Sequence, residues 1–277
     1  MAQGRYVSLP RSELSASIFG KLEGNVETIF GDSVDHIEQT DRDVRVTLKC
    51  GSVRNFDLVV GADGLHSRVR ELAFGAESKF EKYLGFKVAA LEIEVYHPRA
   101  GPAYVMYTEV GQQVGRFSLR NNRTMFHFTF ADDDIIYPDN LQDQKALLRQ
   151  GFGNSGWECP QILDALDSPI DLYFDRVSQI RMVGRQASWS RGRITLVGER
   201  HRWEANYAEA FRRYQNLFGP FVRKEQKATL RFAGSFAPKS KFALFLRNQI
   251  FNRLAIRWFA ALTVGSGLAD QFEIPDY

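Results

Sequence analysis

The fourteen residues from Asp57 to Arg70, DLVVGADGLHSRVR, constrain this chain more than any other segment. Leu58-Val59-Val60 is a continuous apolar run, the pattern of a parallel strand buried on both faces. It runs straight into Gly61-Ala62-Asp63-Gly64, after which His66 to Leu72 has helical character. A strand, a glycine turn and a helix in that order form part of a nucleotide-binding α/β unit. Lacking a Cβ, the glycines let the backbone approach a bulky ligand. Asp63 offers a carboxylate that hydrogen-bonds a ribose, fixes the loop or caps the next helix, and the residues alone leave these alternatives open.

Around this segment the periodicity changes twice. Ser12 to Leu22 reads as a helix behind a capping serine, with Leu14, Ile18 and Leu22 on one face. Val26 to Phe30, Val34 to Gln39 and Val44 to Leu48 read as short strands, the last alternating with charges as a half-exposed strand does. From Tyr83 to Phe130 the chain is rich in β-branched and aromatic residues, with strands expected at Val88 to Val95, Tyr104 to Tyr107, Gln113 to Leu119 and Thr124 to Phe130. Helices are expected over Leu141 to Gln150 and Pro160 to Leu166, the second opening with proline. Strands return at Leu172 to Met182 and Arg193 to Val197, followed by a long helical region from about Glu204 to Thr229. The expected fold is α/β in the α+β sense. An incomplete Rossmann-like unit over residues 1–78 leads to a mostly antiparallel sheet domain over 79–183, and 184–277 returns to the first unit and adds C-terminal helices.

Composition narrows the function classes. A chain of 277 residues with 44% apolar and 13% aromatic residues can build a real core. Its net charge of +3 comes from 36 basic and 33 acidic residues spread along the chain, so no basic run tracks a nucleic-acid backbone. Cys50 and Cys159 have no CxxC pairing and read as structural thiols in a reducing, cytoplasmic setting. His36, His66, His97, His127 and His201 show no metal-ligand spacing, and no GxSxG or Cys-His arrangement supports a nucleophile. His66 is placed to support the glycine turn, and His127 sits in a strand as a hydrogen-bonded core group. Met1 to Leu9 lacks the apolar core of a signal peptide. Phe242 to Leu262 is the most apolar stretch, but Arg247, Arg253 and Arg257 interrupt it, so it reads as an amphipathic helix and not a membrane span.

The Asp57–Arg70 segment resembles the DG fingerprint of the FAD-dependent aromatic-ring monooxygenases related to para-hydroxybenzoate hydroxylase. Leu9-Pro10-Arg11 with Leu14 resembles that family's Arg-x-x-Leu helix, whose arginine reaches the FAD; on the residues alone Arg11 is a solvated surface charge. Tyr83-Leu84-Gly85 and Gln113-Val114-Gly115-Arg116-Phe117 are similar to the substrate domain of the tetracycline-inactivating branch. Phe174 to Arg181 resembles the strand beside the isoalloxazine ring, where Gln179 either hydrogen-bonds near flavin or substrate or faces solvent. Phe272 to Tyr277 is similar to the family's ending.

The resemblance implies an FAD enzyme, reduced by NADPH, that hydroxylates an aromatic or polycyclic small molecule. The cofactor carries that chemistry, so no side chain is assigned a catalytic role and no metal is called for. Cofactor contacts would fall to Arg11, Gly61, Ala62, Asp63, Gly64 and Gly198. The expected pocket wall is a sheet face with Phe86, Tyr104, Tyr107, Phe117 and Phe128, together with Gln179. Two departures stand out. The family's initial GxGxxG strand-turn unit has no counterpart, so Met1 falls well inside the family pattern. After Val197 the sequence Gly198-Glu199-Arg200-His201-Arg202-Trp203 replaces the expected Pro- and Gly-rich loop, as an internal deletion would. These departures predict weak or lost FAD binding and self-association through an uncovered sheet edge. The alternative to an enzyme is a non-catalytic truncated paralogue that keeps a small-molecule pocket or a partner-binding surface.

Overall fold

The computed structural model describes residues 11–22, 24, 26–94, 96, 105–119, 123–168, 170–182, 188–197, 215–216, 219–220, 222–224, 226–227 and 237–254. Helix α1 (Arg11–Phe19) leads to an antiparallel meander of β1 (Val34–Gln39), β2 (Val44–Leu48) and β3 (Val53–Phe56). The alternation in β2 works as expected: Val44 and Val46 are buried while Arg45 is exposed. Val26 to Phe30 forms no strand, a correction to the sequence reading; Val26, Ile29 and Phe30 are exposed, and β-propensity without a packed neighbour does not make a strand. Strand β3 was not anticipated, because Arg54 and Asn55 break its apolar pattern.

The glycine-turn segment folds as β4 (Val59–Gly61) and α2 (Arg68–Phe74). Far along the chain, β10 (Ser190–Arg191) and β11 (Ile194–Leu196) return, and β11 pairs in parallel with β4 in the order β10-β11-β4. Val44, Val46, Val69, Ala73, Ile194 and Leu196 form the core beneath them. Gly61 is required for this packing. A Cβ there would lie 2.8 Å from both Leu196 Cδ2 and Val69 Cβ, so only glycine lets α2 sit this close to β4 and β11. Among the described residues β4 has a strand partner on one side only.

Between the two visits to this unit lies a five-stranded antiparallel sheet of β5 (Glu81–Glu94), β6 (Val105–Glu109), β7 (Gln112–Ser118), β8 (Arg123–Ala131) and β9 (Leu172–Ile180), ordered β6-β7-β8-β5-β9. Strand β5 starts seven residues before the expected Val88, because a bulge between Tyr83 and Lys87 continues its pairing with β9. Helices α3 (Leu141–Phe152) and α4 (Cys159–Asp164) cover one face, where Phe126, Phe128 and Phe130 of β8 meet Leu148, Phe152 and Ile162. The expected helical region from Glu204 to Thr229 lies mostly outside the described residues. Helix α5 (Lys241–Leu254) takes the apolar stretch near the end, and Pro238 just before it accepts a bond from Gly111 N–H at 2.8 Å. No helix among the described residues is long and apolar enough to cross a membrane.

An ion pair is sealed into the helix-covered side of this sheet. Arg116 Nη1 donates to both carboxylate oxygens of Glu158 at 2.7 and 2.8 Å, with the two side chains only 1% and 2% exposed. Tyr96 donates to the same carboxylate at 2.9 Å, and Trp157, held at φ 59, lies 5.7 Å beneath the guanidinium. A charge at this depth is tolerable only while paired. Arg116→Met is therefore expected to cost about 3–5 kcal/mol of unfolding free energy, because it strands a buried carboxylate. Urea denaturation measures this, and a loss below about 1 kcal/mol would contradict it.

Candidate functional site

The turn after β4 is built by its own side chains. Ser67 caps α2: its hydroxyl accepts from Arg70 N–H at 3.0 Å and donates to Asp63 Oδ1. The other Asp63 oxygen accepts from Val69 N–H at 3.0 Å. Of the alternatives left open by the sequence, capping and loop fixation are therefore realised by Asp63. Arg70 is buried beneath the turn and donates to the Leu65 carbonyl at 2.7 Å and the Gly64 carbonyl at 3.4 Å. Gly64 adopts φ +79, and a Cβ added to it would meet nothing within 4 Å. The residue is thus needed for its backbone conformation, and the space outside it is open.

A charged cluster fixes this turn to the edge of the five-stranded sheet. Glu77, in the one-turn helix after α2, accepts from Arg70 Nη2 at 2.7 Å, from Arg176 Nη2 at 2.9 Å and from His66 Nδ1 at 2.9 Å. The other imidazole nitrogen of His66 stands 3.2 Å from both oxygens of Asp175 on β9. Asp175 also accepts from Tyr173 OH at 3.1 Å and from Arg176 N–H at 2.7 Å. Arg176 donates through Nε to Glu81 at 2.5 Å and lies 5.7 Å from the Tyr137 ring centroid. Three carboxylates thus face two guanidinium groups and an imidazole. Burial alone would push His66 down, but hydrogen bonds and charge from Glu77 and Asp175 outweigh it and hold the imidazole above its ordinary pKa.

Register then shows what Asp175 belongs to. Thr108, Gln113, Thr129, Val88 and Asp175 stand directly opposite one another across β6, β7, β8, β5 and β9. Residues in such a row share a face, here the one opposite α3 and α4. The next row on that face holds Met106, Gly115, His127, Ala90 and Tyr173. Gln113 donates to Thr108 Oγ1 at 2.9 Å, and His127 Nδ1 lies 3.4 Å from Thr129 Oγ1. Burial pushes the His127 imidazole below its ordinary pKa, so it is neutral at pH 7. The face is small and polar at its middle, where an ordinary packed sheet face would be apolar.

The residues expected to form the site fall into several groups. Phe86 and Phe117 belong to the polar face, and Lys239 Nζ lies 5.8 Å from the Phe86 ring centroid. Tyr107 and Phe128 lie instead on the helix-covered face, which corrects the expectation of a single aromatic wall. Tyr107 stacks on Trp157 at 5.8 Å, and Phe128 is fully buried edge-on to Phe152 at 4.9 Å. Tyr104 and Gly198 lie outside the described residues, as does the side chain of Arg11 at the start of α1. Gln179 is buried, its amide donating to the Gln226 carbonyl at 2.9 Å and accepting from Arg181 at 3.2 Å. Gly61 serves packing, whereas Ala62, Asp63 and Gly64 are exposed. Gln113, Thr129, Glu77 and Asp175 were not singled out from sequence; strand alternation would have found the first two once the register was known.

The turn's glycine is open to close approach, its aspartate is fixed, and the polar sheet face lies on the Asp175 side of it. Similarity to known proteins agrees with this arrangement. No family model matches the chain. It is 36% identical over 196 residues to Uncharacterized protein Rv1260 of Mycobacterium tuberculosis, covering 70% of this chain and 51% of that protein. A Flavin-dependent monooxygenase from an unknown prokaryotic organism is 29% identical over 260 residues, covering 84% of this chain and 66% of that one. The solved structure of tetracycline destructase Tet(51) is similar with a TM-score of 0.70 and 27% identity, over 94% of this chain and 74% of that chain. This chain is similar to flavin-dependent monooxygenases over most of its length. Like them it has an α+β fold with a Rossmann-like FAD-binding region, an inserted antiparallel sheet and C-terminal helices. The chain spans 51% and 66% of the length of these two curated proteins.

Because the Ser67 hydroxyl both donates to Asp63 and accepts from Arg70 N–H, Ser67→Ala removes the cap and loosens the aspartate together. The expected loss is about 1 kcal/mol, the usual magnitude for a helix N-cap. Chemical denaturation reads it, and an unchanged midpoint would show that Asp63 holds the turn unaided.

Proposed function

We propose that this chain carries the substrate face and part of the cofactor site of an FAD-dependent monooxygenase that hydroxylates an aromatic or polycyclic small molecule, with NADPH as reductant. In this reading residues 1–78 and 184–277 form the cofactor unit and 79–183 the substrate domain. The observation that carries it is the contact of His66 with Asp175, which sets the glycine turn beside the row holding Gln113 and Thr129. Ala62, Asp63 and Gly64 would hold the nucleotide. The flavin, when bound, supplies oxygen activation, a chemistry that no side chain provides.

The protein's part is orientation. His127 is held in its neutral form by burial, and with Nδ1 beside Thr129 its Nε2 would meet a ligand oxygen. Gln113, fixed by its bond to Thr108, offers a second polar group one row away. Gly115, cross-strand from His127, adds no side chain to this face. Phe86 and Phe117, on the same face, supply apolar surface to a ring and exclude water from it.

Two titrations test the proposal. FAD, followed by its fluorescence, is expected to bind the chain weakly and to lose at least about tenfold in affinity in Gly64→Val, since a β-branched residue at positive φ is strained and places a side chain on the turn's open surface. A panel of polycyclic phenols is expected to give a thermal shift that His127→Phe abolishes. Absence of both ligands' binding, or binding indifferent to both substitutions, would contradict the proposal.

A further inference from the structure

His66 carries carboxylates on both of its ring nitrogens, with Glu77 at 2.9 Å on one side and Asp175 at 3.2 Å on the other. Carboxylate oxygens accept, so a ring that donates from both nitrogens, the imidazolium, satisfies both contacts. A neutral imidazole would set a lone pair against one of the two carboxylates. The ring also bridges two parts of the fold, since Glu77 follows α2 whereas Asp175 stands on β9, 98 positions later. Two residues before His66 is the Gly64 turn, and one residue after it is the Ser67 cap.

We propose that His66, as an imidazolium held between Glu77 and Asp175, is a positioning residue that fixes the Gly61–Gly64 turn at the β9 end of the polar sheet face, and that the turn is released when the ring loses its proton. In the proposed function this holds the flavin's turn in place, and to that extent the inference rests on that reading; the clasp itself requires no flavin. The groups around the ring favour the charged form. Glu77 and Asp175 touch it, and Glu81 on β5 adds negative charge through Arg176. Arg70 from α2 and Arg176 from β9 oppose it, each already engaged with carboxylates. Tyr173 donates to Asp175, and Tyr137, its hydroxyl held above its ordinary pKa by burial, lies under Arg176.

The sign follows from linkage. A histidine raised in the folded state contributes stability that is fully present below its unfolded value, about pH 6.5, and is lost as pH rises through the folded value. The clasp is therefore closed in mild acid and opens in the alkaline direction.

Proton NMR of the His66 ring in the full chain tests this directly, with hydrogen exchange at Val69 and Arg70, whose amides are bonded to Asp63 and Ser67. The ring is expected to titrate above about 6.5, and Asp175→Asn to bring it down. Protection of the two amides, corrected for intrinsic exchange, should fall about tenfold for each pKa unit by which the ring is raised, as pH passes through that value. In His66→Gln the protection should be independent of pH over the same range. A ring titrating at or below the ordinary value, or amide protection that stays level through the titration of the wild-type chain, overturns the proposal. FAD affinity measured across the same pH range separates the two readings: no FAD binding at any pH removes the flavin assignment, while the ring and amide titrations still decide the clasp.

Discussion

The carboxylate of Glu77 accepts from Arg70, His66 and Arg176, and those three bonds reach the buried floor of the glycine turn, the turn itself and the outermost strand of the five-stranded sheet. The parallel pairing of β4 with β11 lies within the first unit and does not reach the five-stranded sheet. What joins the first unit to the sheet at this corner is charge. Such a cluster is costly to desolvate and correspondingly costly to break, because each member left behind is a charge without its counterpart. Arg70 is nearly inaccessible, and its neutralisation by Glu77 is what makes its burial tolerable.

From that junction the arrangement of the site follows. The turn cannot shift along β9 without breaking the bonds of His66 to Asp175, and Asp175 stands in register with Val88, Thr129 and Gln113. Gly61 adds a steric constraint from beneath, since the strand, β11 and α2 approach too closely for a Cβ. The opposite face of the sheet has no such freedom to bind anything. It is closed by α3 and α4 around Phe126, Phe128 and Phe152, with the Arg116–Glu158 pair sealed among them. One face is thus committed to stability, and the other keeps small and polar side chains in its central rows.

Local pattern in the sequence was enough for local structure. Val34–Gln39 and Val44–Leu48 were legible to the residue, the second because alternation against charges has one physical meaning in a half-buried strand. The glycine turn was legible for a related reason, since the chain can change direction there only with glycine at positive φ. Val26 to Phe30 misled because it has strand composition without a neighbour to pair with. The aromatic residues misled differently. Tyr107 and Phe128 have the same composition signal as Phe86 and Phe117, and only the register, which depends on turn and bulge positions, assigns them to opposite faces. The charged cluster was hidden altogether: His66 and Asp175 are 109 positions apart, and no spacing rule connects them.

The central claim is that one shared carboxylate couples the turn-bearing unit to the sheet, and scanning calorimetry of Glu77→Ala beside the wild-type chain tests it most directly. The account predicts that the wild type unfolds in a single transition whose calorimetric and van't Hoff enthalpies agree. Glu77→Ala should unfold in two transitions, the first at lower temperature, because His66, Arg70 and Arg176 lose their common partner together. A Glu77→Ala chain that still unfolds in one transition at the wild-type temperature would contradict it.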